Sequence, residues 1–366
     1  MAAAAAIPAA AQTASIFAKA IRTQLAALPD GPALLNSYLV QTGAQATKFD
    51  LTQANAAYVY DNALAGILLA TTGYTQDARR IGQALAIAQA HDRFYTDGRL
   101  RNAYQAGAMT TPAKLPGWWD SQQDQWVEDP YQVSTQAGPL AWAMLLWSRL
   151  GMTAPANTAG DWLDDRLRAK LGYYGGFYGF EPHPLKLTWQ STEQNTDLFA
   201  AFRKLGRKAD SAHAAAFVAA MAGPQTFLAG TSPDGRKNPL IAADAGIWPY
   251  LAGLGSRQSA LNAIQALKRG NGIGFSEASA SIWLEGTAFA TIALPNPAFT
   301  ATINANISPE GYVYATVAPE LSTGLTTGPS LKPGVPEQPF NYDRRPSLSA
   351  TAWAALAELK LDGGIF

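Results

Sequence analysis

Hydrophobic positions in this chain form a phrase that recurs six times: a nearly all-apolar run whose first turn carries polar residues. The copies start near Tyr60-Asp61-Asn62-Ala63-Leu64-Ala65, Gln136-Ala137-Gly138-Pro139-Leu140-Ala141-Trp142 and Glu193-Gln194-Asn195-Thr196-Asp197-Leu198. Three more start near Asp244-Ala245-Gly246-Ile247-Trp248-Pro249, Trp283-Leu284-Glu285-Gly286-Thr287-Ala288 and Ser349-Ala350-Thr351-Ala352-Trp353. A helix that is apolar all round must be enclosed by other elements. Helices of a second kind lie between them. Residues 75–92 set Ile81, Ala84, Leu85, Ile87 and Ala88 against a polar face of Asp77, Arg79, Arg80 and Gln83, the pattern of a helix with one side in water.

The alternation predicts inner helices over residues 53–72, 140–150, 193–205, 244–254, 283–294 and 348–359. Outer helices are predicted over 15–28, 75–92, 161–171, 209–221 and 257–269, the last with Ser256 as N-cap and Gly270 just past its end. A sixth outer helix has only about 297–306 available, a stretch poor in helix formers. Pairs recur roughly every 40–80 residues, as in repeated helical hairpins. Three long segments, 94–132, 172–191 and 309–347, separate outer from inner helices, the last with an expected short hairpin at 311–317. Loops this long in a compact domain are functional or disordered, and their aromatic content argues against disorder.

Composition narrows the function. Hydrophobic residues are 48% and charged residues 15% of the chain, so much of it must be buried, and residues 15–366 read as one domain. The 27 basic and 27 acidic residues cancel without a basic run, which excludes a nucleic-acid or anionic-membrane partner. Cysteine is absent, and His91, His183 and His213 have no ligand spacing. Thiolate chemistry, a histidine zinc site and a Ser-His-Asp triad are therefore not expected, nor is any metal or cofactor. The Gly-rich stretch at residues 172–179 is also aromatic-rich and reads as a tight surface loop. Residues 1–14 are an Ala-rich tail with an A-x-A site at Ala9-Ala10-Ala11, like the end of an export signal, so a periplasmic or secreted location is expected. No run reaches about 18 uninterrupted apolar residues, so no membrane span is expected.

Six inner and about six outer helices of this kind resemble the (α/α)6-toroid, or six-hairpin, glycosidase superfamily of bacterial polysaccharide-processing enzymes. The phrases at Tyr60–Ala65, Thr192–Asp197 and Trp283–Ala288 look like motifs of that group. Glu285-Gly286, Thr196-Asp197 and Asp244-Ala245…Pro249 also resemble motifs of the family 8 endoglucanases, in cyclically shifted order. The resemblance implies an all-α toroid. It also implies an active site at the end where the inner helices begin, and hydrolysis by two carboxylates, commonly with inversion.

Glycoside hydrolysis needs an acid for the leaving oxygen and a carboxylate base or nucleophile opposite it. Glu193 lies in the first turn of an inner helix after Ser191 or Thr192, where a helix N-terminus lowers a carboxyl pKa. It acts as general acid if neighbours such as Trp189 desolvate it; otherwise it suits the base role, or it is a local cap. Asp197, one turn on, shares its face. Asp61 sits inside an apolar helix, where an ionised group is costly unless it is paired or faces a polar cleft. Glu285 follows the same logic, and Asp244 reads as an N-cap with Trp248 one turn on as a sugar platform. Asp61 and Glu193 are the expected catalytic pair, with Asp197, Asp244 and Glu285 in reserve. Expected sugar contacts are Tyr60, Trp118, Trp119, Asp120, Trp126, Lys186, Trp189, Trp248 and Trp283. Arg101, like Arg99, either binds acidic sugars or pairs with loop acids; Tyr58 and Tyr131 are lesser candidates. The copies at Gln136 and Ser349, lacking a carboxylate, read as structural.

The expected function is thus an endo-acting glycoside hydrolase with an oligo- or polysaccharide substrate. A polysaccharide lyase on a related toroid and a non-catalytic glycan-binding protein of a secretion system keep the same aromatics. Fold does not separate these three readings.

Overall fold

The computed structural model describes residues 9–359, 365 and 366. Its helices are, in order, α1 (Ala9–Ala26), α2 (Lys48–Gln53), α3 (Val59–Thr71), α4 (Thr75–Ala90), α5 (Ala137–Arg149), α6 (Thr153–Leu167), α7 (Thr192–Lys204), α8 (Lys208–Ala220), α9 (Ala243–Leu251), α10 (Arg257–Ala266), α11 (Leu284–Ala293), α12 (Pro297–Asn304) and α13 (Leu348–Glu358). The six apolar runs are α3, α5, α7, α9, α11 and α13. Each packs on the next, and α13 packs back on α3 to close a ring. Outside it, α4, α6, α8, α10 and α12 each lie on the inner helix that precedes them, and α1 lies on α13. The chain is an (α/α)6 toroid.

Enclosure follows from composition. On α3, Ala63, Leu64, Ala65, Ile67, Leu68 and Leu69 are all buried, leaving no side for water. Small residues let the inner helices approach closely: a Cβ on Gly66 would lie 2.7 Å from the Leu146 side chain of α5. Glycine inside a helix costs about 1 kcal/mol, a penalty that this close packing offsets. The short sixth outer helix forms where the pattern was weakest. Asn296 caps it by accepting from the Ala298 amide, and Pro297 takes the first position, where no amide is needed.

The inner helices begin at one end of the ring, and several enter directly from short strands. Ala56–Tyr58 pairs with Ala103–Gln105 before α3, Thr135–Gln136 with Gly176–Tyr178 before α5, and Gln190–Ser191 with Gly230–Thr231 before α7. These pairings correct several expectations. The apolar run at 53–72 is helix only from Val59, because residues 56–58 bond to a strand supplied by the 94–132 loop, a partner that periodicity cannot reveal. Asp244 is not an N-cap: Ala242 holds that position and Asp244 lies in the first turn. Ser256 caps α10 as expected, but the helix ends at Ala266, and Gly270 instead turns a small hairpin at φ 54°. The hairpin of the last long segment is Glu320–Thr326 with Pro339–Asp343, not 311–317. Helix α1 reaches back to Ala9, through the A-x-A site; residues 1–8 of the expected tail lie outside the described residues. Among the described residues no helix is long and apolar enough to cross a membrane.

The ring closes along a seam between the two ends of the chain. The Leu39 amide donates to the Pro346 carbonyl and the Leu348 amide to Ser37. Beside them Arg345 Nε and Nη2 donate to the two oxygens of Asp50 at 2.6 and 2.7 Å. The Asp50 side chain is fully buried, and it also caps α2 through Thr47. Although burial alone would raise its pKa, the Arg345 guanidinium and the Thr47 and Gln41 amides hold it well below the ordinary 3.8. The stability it contributes is therefore present above that value and is lost as pH falls below it. Asp50→Ala should cost about 3 kcal/mol in urea unfolding at pH 7, because it leaves Arg345 half-buried and unpaired. A loss under about 0.5 kcal/mol, typical of a surface pair, would show that the seam is held elsewhere.

Candidate active site

At the end where the inner helices begin lies a cavity of about 740 Å³, within the range of small-molecule and oligosaccharide sites. First turns of the inner helices supply its acids: Glu193 from α7, Asp244 from α9 and Glu285 from α11 all line it. Loops 185–191 and 229–233 form one side, and the 320–343 hairpin with its tip forms the other. Tyr60, Trp142 and Trp248 line the floor. The Trp142 and Trp248 rings pack in turn on Trp353, Phe289 and Phe366, with centroids about 5–6 Å apart. A second aromatic set, Phe275, Trp283, Phe340 and Tyr342, makes the wall.

The acids sit in two groups. Glu285 accepts from the Tyr60 hydroxyl at 2.6 Å and from the Ser349 hydroxyl at 2.7 Å, and Tyr60 in turn accepts from the Trp353 indole at 2.7 Å. Burial outweighs these two donors and pushes the Glu285 carboxyl up to about 7. The other group is Glu193 on α7 with Asp244 on α9. The two side chains are close enough to interact, and Asp244 accepts from its neighbour's amide, Ala245 N, at 2.7 Å. Burial raises both, Asp244 to about 6 and Glu193 well above the ordinary glutamate range, where the Asp244 and Asp197 charges add to the rise. Asp197 is fully buried on the same helix face. Neither of its oxygens has a hydrogen-bond partner of good geometry, though the Trp142 indole N–H is close enough to moderate a pKa raised by burial and by Asp244. Like charges this close cannot all ionise, so protons are shared among them near neutral pH. Among the described residues no acidic or histidine group is arranged to chelate a metal ion.

Of the residues singled out in the sequence, Tyr60, Tyr131, Lys186, Trp189, Glu193, Asp244, Trp248, Trp283 and Glu285 come together around the cavity. Lys186 sits on the rim with its ammonium donating to the Arg166 carbonyl. Asp61 is buried and does not line the cavity; burial with the Glu285 charge raises its pKa, and the nearby Ser37 hydroxyl moderates the rise. Arg101 is fully buried and spent on loop acids: Nε and Nη2 donate to Asp92 at 2.6 and 2.8 Å, and Nη1 to Glu181 at 2.9 Å. Trp118, Trp119, Asp120 and Trp126 form a separate hairpin, Trp118–Asp120 with Gln125–Val127, outside the cavity.

Both copies of the helix phrase that looked purely structural contribute side chains. Trp142, on the copy at Gln136, is part of the floor, and Ser349 donates to Glu285. A Trp one turn past a helix start was a readable signal at 142, as it was at 248. The wall residues Phe275, Phe340 and Tyr342 had none, because they come from loops whose course depends on tertiary contacts.

No family model matches the chain, and no curated protein matches it. Solved structures do. A glycosidase variant in complex with glucose superposes with a TM-score of 0.57 at 13% identity, over 99% of this chain and all of that one. A novel alpha-amylase from Clostridium perfringens gives 0.62 at 8% identity over 97% and 100%. A cellobiose 2-epimerase from Spirochaeta thermophila gives 0.58 at 13% identity over 96% and 97%. The similarity is of fold over essentially the whole length. The same toroid carries both glycosidases and an epimerase, so chemistry has to be argued from side chains.

A buried acid whose pKa is raised destabilises the fold once it must ionise. For Glu285 the folded value near 7 lies above the ordinary 4.5, so the cost is absent below about pH 4 and complete above about pH 7. Glu285→Gln should therefore be more stable than wild type at pH 8, by on the order of 3 kcal/mol, and should lose that advantage by pH 4.5. Thermal melts of the two proteins across this range check it; parallel curves would mean that Glu285 titrates normally.

Proposed function

We propose that this protein is a glycoside hydrolase in which Glu193 is the general acid and Glu285 the catalytic base. The observation that carries the reading is two carboxyls on one cavity whose pKa values are raised to different degrees. Burial with the Asp244 and Asp197 charges raises Glu193 well above the ordinary range, while two hydroxyl donors limit the rise of Glu285 to about 7. A stronger and a weaker acid on one cavity suit acid–base hydrolysis. Glu193 is preferred to Asp244 as acid because its pKa is raised well above the ordinary range, while that of Asp244 rises only to about 6. Glu285 is preferred to Asp61 because Glu285 lines the cavity and Asp61 does not.

In this mechanism the Glu193 proton passes to the glycosidic oxygen as the bond to the anomeric carbon breaks. Glu285 takes a proton from the water that adds to that carbon from the opposite face, so the anomer inverts. Glu193 and Asp244 interact directly, so Glu285, from α11 and lining the same cavity, is the better partner for Glu193. Tryptophan and tyrosine faces in floor and wall suit pyranose C–H surfaces. The supply of lining residues by loops on both sides supports binding of several sugar units and endo action on a polysaccharide. The neighbours titled glycosidase and alpha-amylase support the same substrate class.

Lyase chemistry is less well supported. It needs a Tyr or His base and a cation or amide for a uronate carboxylate. None of the three histidines lines the cavity, and burial beside Glu285 raises the Tyr60 pKa rather than lowering it. A screen of polysaccharides with product analysis by mass spectrometry identifies the substrate. On it, Glu193→Gln and Glu285→Gln should each lower kcat by about 10²–10⁴-fold while the fold is retained. Proton NMR of the first product should show the inverted anomer. Near-normal turnover in both variants, or an ultraviolet-absorbing unsaturated product, would overturn the assignment.

A further inference from the structure

The hairpin Trp118–Asp120 with Gln125–Val127 lies outside the cavity and has no part in the chemistry above. Trp119 and Trp126 are direct cross-strand partners, so their side chains project from one face, and they are 58% and 46% exposed. Single exposed hydrophobics need no explanation, but two indoles side by side on a small polar hairpin do.

The face is held in place. The Asn55 side chain clamps Gly117 in both directions: its amide donates to the Gly117 carbonyl at 3.0 Å and its oxygen accepts from the Gly117 amide at 3.1 Å. The Trp126 indole lies directly over Gly117, where an added Cβ would sit 2.6 Å from its Nε1. Asp120 caps the turn by accepting from the amides of Gln122 and Gln123 at 2.8 and 3.2 Å. Asn55 immediately precedes the strand that feeds α3, so the hairpin stands on the face of the ring that carries the cavity mouth. Tyr131, which lines the cavity, follows Trp126 by five residues, a span of at most about 18 Å.

The surrounding chemistry selects the ligand. Residues 115–127 contain no Lys or Arg and two Asp, which disfavours phosphate, nucleic acid and anionic lipid. Ser121, Gln122, Gln123 and Gln125 beside the indoles are exposed. The apolar area is therefore broken by amides and hydroxyls and lacks the contiguous dry centre of a protein interface. Flat indole faces ringed by neutral hydrogen-bonding groups match a neutral pyranose chain, whose C–H faces stack while its hydroxyls meet amides. We propose that Trp119 and Trp126 form an outlying platform that holds a neutral polysaccharide while a neighbouring stretch of the same chain enters the cavity. The proposal rests on the hydrolase reading for its substrate class.

Native affinity electrophoresis through gels containing amylopectin, hydroxyethyl cellulose, yeast mannan or, as an acidic control, polygalacturonate tests it. The E193Q/E285Q protein, which should bind without cleaving, is expected to be retarded by at least one neutral polymer and not by polygalacturonate. Adding W119A and W126A should weaken that retardation about tenfold, and W119Y with W126Y should restore most of it. Equal thermal melts show that the exposed substitutions leave the fold intact. Unchanged retardation in the alanine variant, or retardation by none of the neutral polymers, overturns the platform. So does a wild-type dimer in sedimentation that the alanine variant loses, which would make the face a contact between copies. Retention without product from the wild-type enzyme would instead overturn the hydrolase reading and leave the platform standing.

Discussion

One phenolic oxygen joins the parts of this protein that matter most to each other. Tyr60, on the first inner helix, donates to Glu285 on the fifth and accepts from Trp353 on the sixth. Those three helices meet where the ring closes, and the contact is buried beneath the cavity. A carboxyl in that position is tolerable only because hydroxyls from α13 and, across the ring closure, from α3 reach it. The helices in turn keep their register partly because a polar group left without its partner there would cost more than the bond itself contributes. The aromatic hub below excludes water and keeps the local dielectric low, which makes each of these bonds stronger and each unpaired charge more costly.

The second group of acids meets the same constraint differently. Burial raises Glu193, Asp244 and the fully buried Asp197, and the Asp244 charge adds to the rise of the other two. An apolar ring that forces carboxyls into each other's company therefore makes them hold their protons to higher pH than they would in water. The cost in stability and the capacity for acid–base chemistry have the same origin.

Much of this was legible in the chain. Helices apolar on every side, such as α3 and α5, announce enclosure. Striped partners such as α4 announce the outer layer, and Ser256 and Pro297 mark helix starts by local chemistry that tertiary contacts did not override. Legibility failed where a residue's role depends on a distant strand or loop. Residues 56–58 look helical until the strand at 103–105 pairs with them, and Gly270 looks like a helix end until a two-residue hairpin claims it. Phe340 and Tyr342 carry no periodic signal at all. Arg101 was open to either reading, because nothing local distinguishes a cation that binds ligand from one enclosed by Asp92 and Glu181.

What the sequence by itself determined is the toroid and the short list of acids at its mouth, because hydrophobic periodicity and first-turn composition are local properties that survive in any context. What only the tertiary structure decided is which of those acids face one another and in what protonation state. Glu285 and Glu193 are 92 residues apart in the chain. Their burial, their hydroxyl and carboxyl partners, and the placement of Asp61 outside the cavity are set by ring closure. Electrostatic environment is a property of surroundings in space, and a linear pattern does not contain it.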